Sequence, residues 1–159
     1  MLLPGLATDA HGRTSRLPLL LGLAGLIPFV ACAAAAWLAP MVWQVVAINA
    51  FLAYAAVILS FLGGIQWGVA MSLEAADGPG FRARLVLSMA PSLIAWPSLL
   101  LHPATGAWVL AAGFVVVRLH ELGRDSRELL PSWFQSLRHL LTAVVLACHG
   151  AVIWRLAGA

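Results

Sequence analysis

From Leu17 to Leu73 the chain carries no charged side chain. A helix at a water-facing surface needs a polar face opposite its apolar stripe, and this run offers none. About 20 apolar residues already cross a hydrocarbon core of ~30 Å, so the run holds two membrane-spanning helices. The remainder agrees: of 159 residues, 62% are hydrophobic and 9% charged, against ~25% charged in soluble domains. So few charges cannot cover a water-facing surface. All nine basic residues are arginines scattered between apolar runs. They read as topological markers and not as a nucleic-acid footprint.

Taken in order, residues 1–16 form a polar, poorly ordered cytoplasmic tail, and residues 17–159 a single transmembrane helical domain. Leu17–Leu38 is the first span, with Pro28 near its middle. Its apolar run is longer than the 7–15 residues of a signal sequence. Ala39-Pro40 is a tight turn, and the second span runs from Met41 to Leu73. At ~1.5 Å per residue that helix is ~50 Å long, so it must tilt, bend or protrude, with Gly63-Gly64 the place for a bend. Asp77-Gly78-Pro79-Gly80 signals a turn. Residues 85–117 predict a helical hairpin with its tip at His102-Pro103, kinked by Pro91 and Pro97; a re-entrant hairpin is the alternative. Arg82, Arg84 and Arg118 are expected to snorkel to the headgroups. Pro131 suits the first turn of the last helix, which ends near Leu156.

The expectation is therefore an all-α polytopic membrane protein, a five-helix transmembrane bundle. With the N-terminus inside and the C-terminus outside, eight of the nine arginines face the cytoplasm, as the positive-inside rule requires. Lacking an Arg-rich amphipathic transit sequence, the chain is expected in the bacterial inner (plasma) membrane.

Within the second span Ala56, Ser60, Gly64, Gly68 and Ser72 recur every fourth residue. This spacing predicts a ridge of small side chains on which another helix packs closely. Ala143, Ala147 and Ala151 repeat it on the last span, so spans two and five are the expected contact.

Three stretches carry a resemblance. Ile58-Leu59-Ser60-Phe61-Leu62-Gly63-Gly64-Ile65-Gln66-Trp67-Gly68 is the most specific. Leu130-Pro131-Ser132-Trp133-Phe134 with Leu137-Arg138 and Leu141-Thr142, and Gly22-Leu23-Ala24-Gly25-Leu26-Ile27-Pro28-Phe29, follow the same pattern. With these the chain resembles an uncharacterised family of small bacterial membrane proteins that includes the mitochondrial transmembrane protein 69. The resemblance implies a membrane location and no particular activity. The family often has histidine where Gln66 stands and tyrosine where Phe134 stands. The family's acidic residue before the second stretch corresponds to Glu121 or Asp125.

In the N-inside arrangement Gln66, Trp67, His120, Glu121, Arg138 and His139 share one depth near the cytoplasmic leaflet. A polar residue inside lipid faces the bundle and finds a partner. These six are the candidate ligand-binding residues, with Trp67 as an apolar wall and Arg138 as an anion or headgroup contact. The plain alternative is that Gln66 bonds to a neighbouring helix and that Arg138 and His139 anchor the last span. His149 lies at mid-depth and is expected to be a neutral core histidine. Cys148 and His149 point ~100° apart on a helix, so they do not chelate together readily. No metal or cofactor is predicted, and Cys32 and Cys148 are expected to be inert thiols.

The leading expectation is a non-enzymatic accessory protein that binds a hydrophobic ligand, a lipid or quinone, or a partner membrane complex near the cytoplasmic leaflet. A small-solute transporter or channel would need an oligomer, because no aspartate or glutamate lies within a span. A membrane enzyme would need a metal or cofactor on His120, His139 or His149.

Overall fold

The structure is a computed structural model that describes residues 7–8, 14–73, 78–123 and 132–158. Most of the tail, the Asp77 end of the turn and Pro131 lie outside the described residues. A short antiparallel ribbon pairs β1 (Ala7–Thr8) with β2 (Thr14–Ser15). The chain then folds into helices α1 (Leu17–Ala24), α2 (Ile27–Leu38), α3 (Met41–Leu73), α4 (Pro79–Ser98), α5 (Pro103–Glu121) and α6 (Ser132–Ala157).

The first two helices are one rod broken at Gly25-Leu26. Pro28, in the first turn of α2, has no N–H to continue the α1 ladder. The Tyr54 hydroxyl of α3 donates to the Gly25 carbonyl in this break at 3.0 Å. At Ala39 the backbone turns extended, and the Pro40 carbonyl accepts from the Trp43 N–H at 2.8 Å to open α3. His102-Pro103 opens α5 in the same way, with proline in its first turn. The expected boundaries at Leu38, Met41 and Leu73 are those observed. The third expected span, α4, starts earlier than expected, at Pro79, and ends at Ser98.

Five rods therefore form one bundle, with α3 packed against α2, α4 and α5, and α6 against α1, α2 and α5. Residue pairings fix the directions. Gln66 meets Arg84 and Gly63 meets Ser88 and Pro91, so α3 and α4 are antiparallel. Arg118 meets Gln135, while Trp37 meets Ala151 and Gln44 meets Arg155. The bundle thus has an Arg138 end and an Arg155 end.

Among the described residues, four helical segments are long and apolar enough to cross a membrane: Leu17–Leu38, Met41–Ser72, Pro103–Glu121 and Trp133–Ala157. The fifth rod, α4, carries Arg82 and Arg84 and is not among them. Arg84 is only 5% exposed and packs inward. Arg118 is buried as well, so both correct the snorkelling expectation.

At mid-height Phe29, Phe51 and Phe114 gather around His149, with ring centroids 4.8 Å from Phe51, 5.5 Å from Phe114 and 6.2 Å from Phe29. The His149 Nδ1–H donates to the Val145 carbonyl at 2.9 Å, and its Nε2 is buried without a partner among the described residues. Cys32 and Cys148 are free thiols.

The small-residue ridge is corrected in part. Ala56 is buried and Ser60 half-buried, but Gly64 and Gly68 are exposed, with nothing near either α-carbon for a side chain to meet. Four residues turn a helix through ~400°, an overshoot of ~40° per step. Two steps from Ala56, at Gly64, already carry the ridge off the packed face. The glycine that permits close approach is Gly63: a β-carbon there would collide with the Ser88 carbonyl oxygen and touch the Pro91 ring of α4. Ala143 and Ala147 are likewise exposed and Ala151 half-buried. The principal contacts of α3 are therefore with α4 and α2, not with α6.

Candidate functional site

Polar side chains collect at the Arg138 end. Glu121, at the last turn of α5, is 0% exposed. Arg118, one turn earlier on the same face, donates to Glu121 Oε2 at 3.0 Å. From α6, Arg138 grips the same carboxylate in a fork: Nε to Oε2 at 3.1 Å and Nη2 to Oε1 at 3.1 Å. Arg118 also donates to the Gln135 side-chain and backbone carbonyls, at 3.0 and 3.3 Å. The network ties the end of α5 to the start of α6. Its two guanidinium groups face one carboxylate, and bidentate geometry of this kind is the strong form of such a pair.

A second pair lies beside it. Gln66 of α3 is 3% exposed, and its Oε1 accepts from Arg84 Nη1 of α4 at 2.9 Å. A guanidinium only donates, so the oxygen of the amide must face Arg84 and the nitrogen must face away. Gln66 Nε2 and His120 Nε2 are buried and have no hydrogen-bond partner among the described residues. Both residues line one small cavity between α3, α4 and α5, of about 160 Å³.

Of the six expected residues, Glu121 and Arg138 are joined directly, and Gln66 and His120 share a cavity. Trp67 is 46% exposed and His139 is exposed on the outer surface. Arg84, Arg118 and Gln135 belong to the polar layer and were not read as site residues. The i, i+3 spacing of Arg118 and Glu121 was the legible signal for one of them.

Between α1, α2, α3 and α6 lies a larger cavity of about 360 Å³, within the ~300–1,000 Å³ of small-molecule sites. Its wall is almost entirely apolar, including Phe29, Ile58, Leu62 and Phe134, with Arg138, Thr142 and the Trp133 indole as its hydrogen-bonding side chains. The Thr142 hydroxyl is buried without a partner among the described residues. All three stretches that carry the family resemblance contribute to this wall. Among the described residues no group of three histidine, cysteine, aspartate or glutamate side chains could hold a metal ion.

Comparison with known proteins gives the same frame. The family described as "Protein of unknown function (DUF3429)" matches residues 14–154. "Transmembrane protein 69" of Xenopus tropicalis is 40% identical over 143 residues, covering 85% of this chain and 53% of that protein. "Transmembrane protein 69" of Mus musculus is 33% identical over 129 residues, covering 77% of this chain and 49% of that protein. The chain thus spans about half the length of the curated relatives it matches. No solved structure matches. With four helices long and apolar enough to span and a profile match along nearly its whole length, this multi-pass membrane protein belongs to that family of unknown function, to which transmembrane protein 69 is related.

Proposed function

We propose that the chain is a non-enzymatic accessory protein of the bacterial inner membrane that holds an anionic lipid. An acyl chain lies in the cavity between α1, α2, α3 and α6, and the headgroup lies toward Arg138. One observation carries this reading: an otherwise apolar cavity of about 360 Å³ is lined by a guanidinium and by an unpartnered buried hydroxyl. Two arginines around one carboxylate leave the network cationic, which suits a phosphate. Arginine matches such oxyanions through its planar fork of donors.

In this reading the Arg138 end faces the cytoplasm, the N-terminus is inside and the C-terminus is outside. Reporter fusions after Arg84 and after Ala159 then lie on opposite sides of the membrane; the same side for both would overturn the orientation. For the ligand, the protein is extracted with its surrounding lipid, stripped of loosely held molecules, and weighed by native mass spectrometry. The expected result is a retained anionic lipid that is lost in Ile58→Trp, where a larger side chain fills the cavity from α3. Equal retention by parent and variant would overturn the site.

A further inference from the structure

We propose a second site in the same layer, between α3, α4 and α5, that takes the carbonyl head of a lipid-soluble quinone. It shares no lining residue with the first cavity. The Arg84 bond fixes the Gln66 amide so that its N–H groups point away from the guanidinium. Gln66 and His120 each bring a buried nitrogen without a partner among the described residues, and both line this slot. Its other walls are apolar: the Pro91 ring, Gly113, Leu87 and Val116. Leu87 and Val116 are exposed on the outer surface of the bundle, so the slot communicates with the lipid side. A few fixed polar groups in an apolar concavity are the chemical pattern of a small-molecule site.

The occupant follows from the groups present. Gln66 Nε2 can only donate, so the ligand must present an acceptor oxygen. His120 offers a second donor in its Nε2–H tautomer. A ring carbonyl meets both demands, with the oxygen toward Gln66 and His120 and the flat ring against Pro91 and Val116. Water would satisfy the nitrogens but not the apolar walls. A phospholipid ester would bring a glycerol backbone and two chains to a slot of about 160 Å³, less than half the volume of the first cavity. The site holds the quinone; no redox step is involved.

The test uses the purified full-length protein in detergent with a decyl-tailed benzoquinone carrying isotope-labelled carbonyls. Saturable binding is expected, with one carbonyl stretch shifted to lower frequency by hydrogen bonding. Gln66→Leu should remove that shift and weaken binding about tenfold, the loss expected from one hydrogen bond in a desolvated site. Leu87→Trp, at an exposed position where folding is not at stake, should block entry and weaken binding at least as much. Ile58→Trp, in the first cavity, should leave it unchanged. No saturable binding overturns the proposal. So does unchanged binding by Leu87→Trp, loss of binding by Ile58→Trp alone, or equally tight binding of decylbenzene, which lacks the carbonyls.

Discussion

The two ends of the bundle are both stitched by arginine, yet they are built differently. At the Arg155 end, Arg155 Nη2 donates to Gln44 Oε1 at 2.7 Å, and Gln44 Nε2 in turn donates to the Ala39 carbonyl at 2.8 Å. The Trp37 indole caps the Ala151 carbonyl at 3.1 Å. These groups are half-buried or exposed. At the Arg138 end, by contrast, a fully buried carboxylate sits between two buried arginines, and a buried glutamine is held by a third. Fastening helix ends does not require the second arrangement; the first does so at little desolvation cost. Burying ions is expensive, and their mutual attraction offsets that cost only when the geometry is good. Of the three described cavities lined by a residue with an unpartnered buried polar atom, two adjoin the costly end, and the third is lined by His149 of the mid-height aromatic cluster. The contrast separates an end built for closure from one built around chemistry.

The comparison breaks most sharply at Glu121. Glu121→Ala leaves Arg118 and Arg138 buried without their anion, and should destabilise the bundle by ~3–5 kcal/mol, the cost typical of removing one member of a buried ion pair. Thermal unfolding in detergent measures this, and a loss comparable to that of an exposed pair would contradict the account. Next is packing. Gly63→Leu should cost at least ~1–3 kcal/mol from overpacking against Ser88 and Pro91, whereas Gly64→Leu, one position along, should stay within ~0.5 kcal/mol of the parent. Equal losses at both positions would mean that the face of α3 is misassigned. The smallest effect belongs to the other end. Arg155→Ala should cost ~1.5 kcal/mol or less, because solvent around this half-buried pair screens a bond that would be worth ~1.5–3 kcal/mol when buried.

Much of the fold was legible because the membrane narrows the choices. The absence of charge from Leu17 to Leu73, the break at Pro40 and the tip at His102-Pro103 each mark a boundary that the structure keeps. The rotation of each helix was less legible. Gly63 and Gly64 lie ~100° apart on α3, and a four-residue repeat alone does not say which of them meets a neighbour. The buried residues of α3, such as Ala55, Leu59, Leu62, Gln66 and Ala70, follow the helical period more closely than the small residues do. The polar layer was half legible. Shared depth brought out Gln66, His120, Glu121 and Arg138, and the interior placement of Gln66 agrees with that reasoning. Arg84 was missed because an arginine next to a span looks the same in sequence whether it snorkels outward or folds inward onto a glutamine. Trp67 and His139 share the depth but face the other way, which depth alone does not reveal.

The central claim is that a lipid chain occupies the cavity between α1, α2, α3 and α6. The most direct measurement is crosslinking by an anionic phospholipid with a photoreactive diazirine along one acyl chain, mapped by peptide mass spectrometry. Leu62 and Val145 line the cavity and are only 3% and 4% exposed, so lipid that merely surrounds the bundle does not reach them. The account predicts adducts at Leu62 and Val145 that a saturating excess of unlabelled anionic lipid removes. Adducts confined to outward-facing residues such as Val57 and Trp154, both exposed, would contradict it.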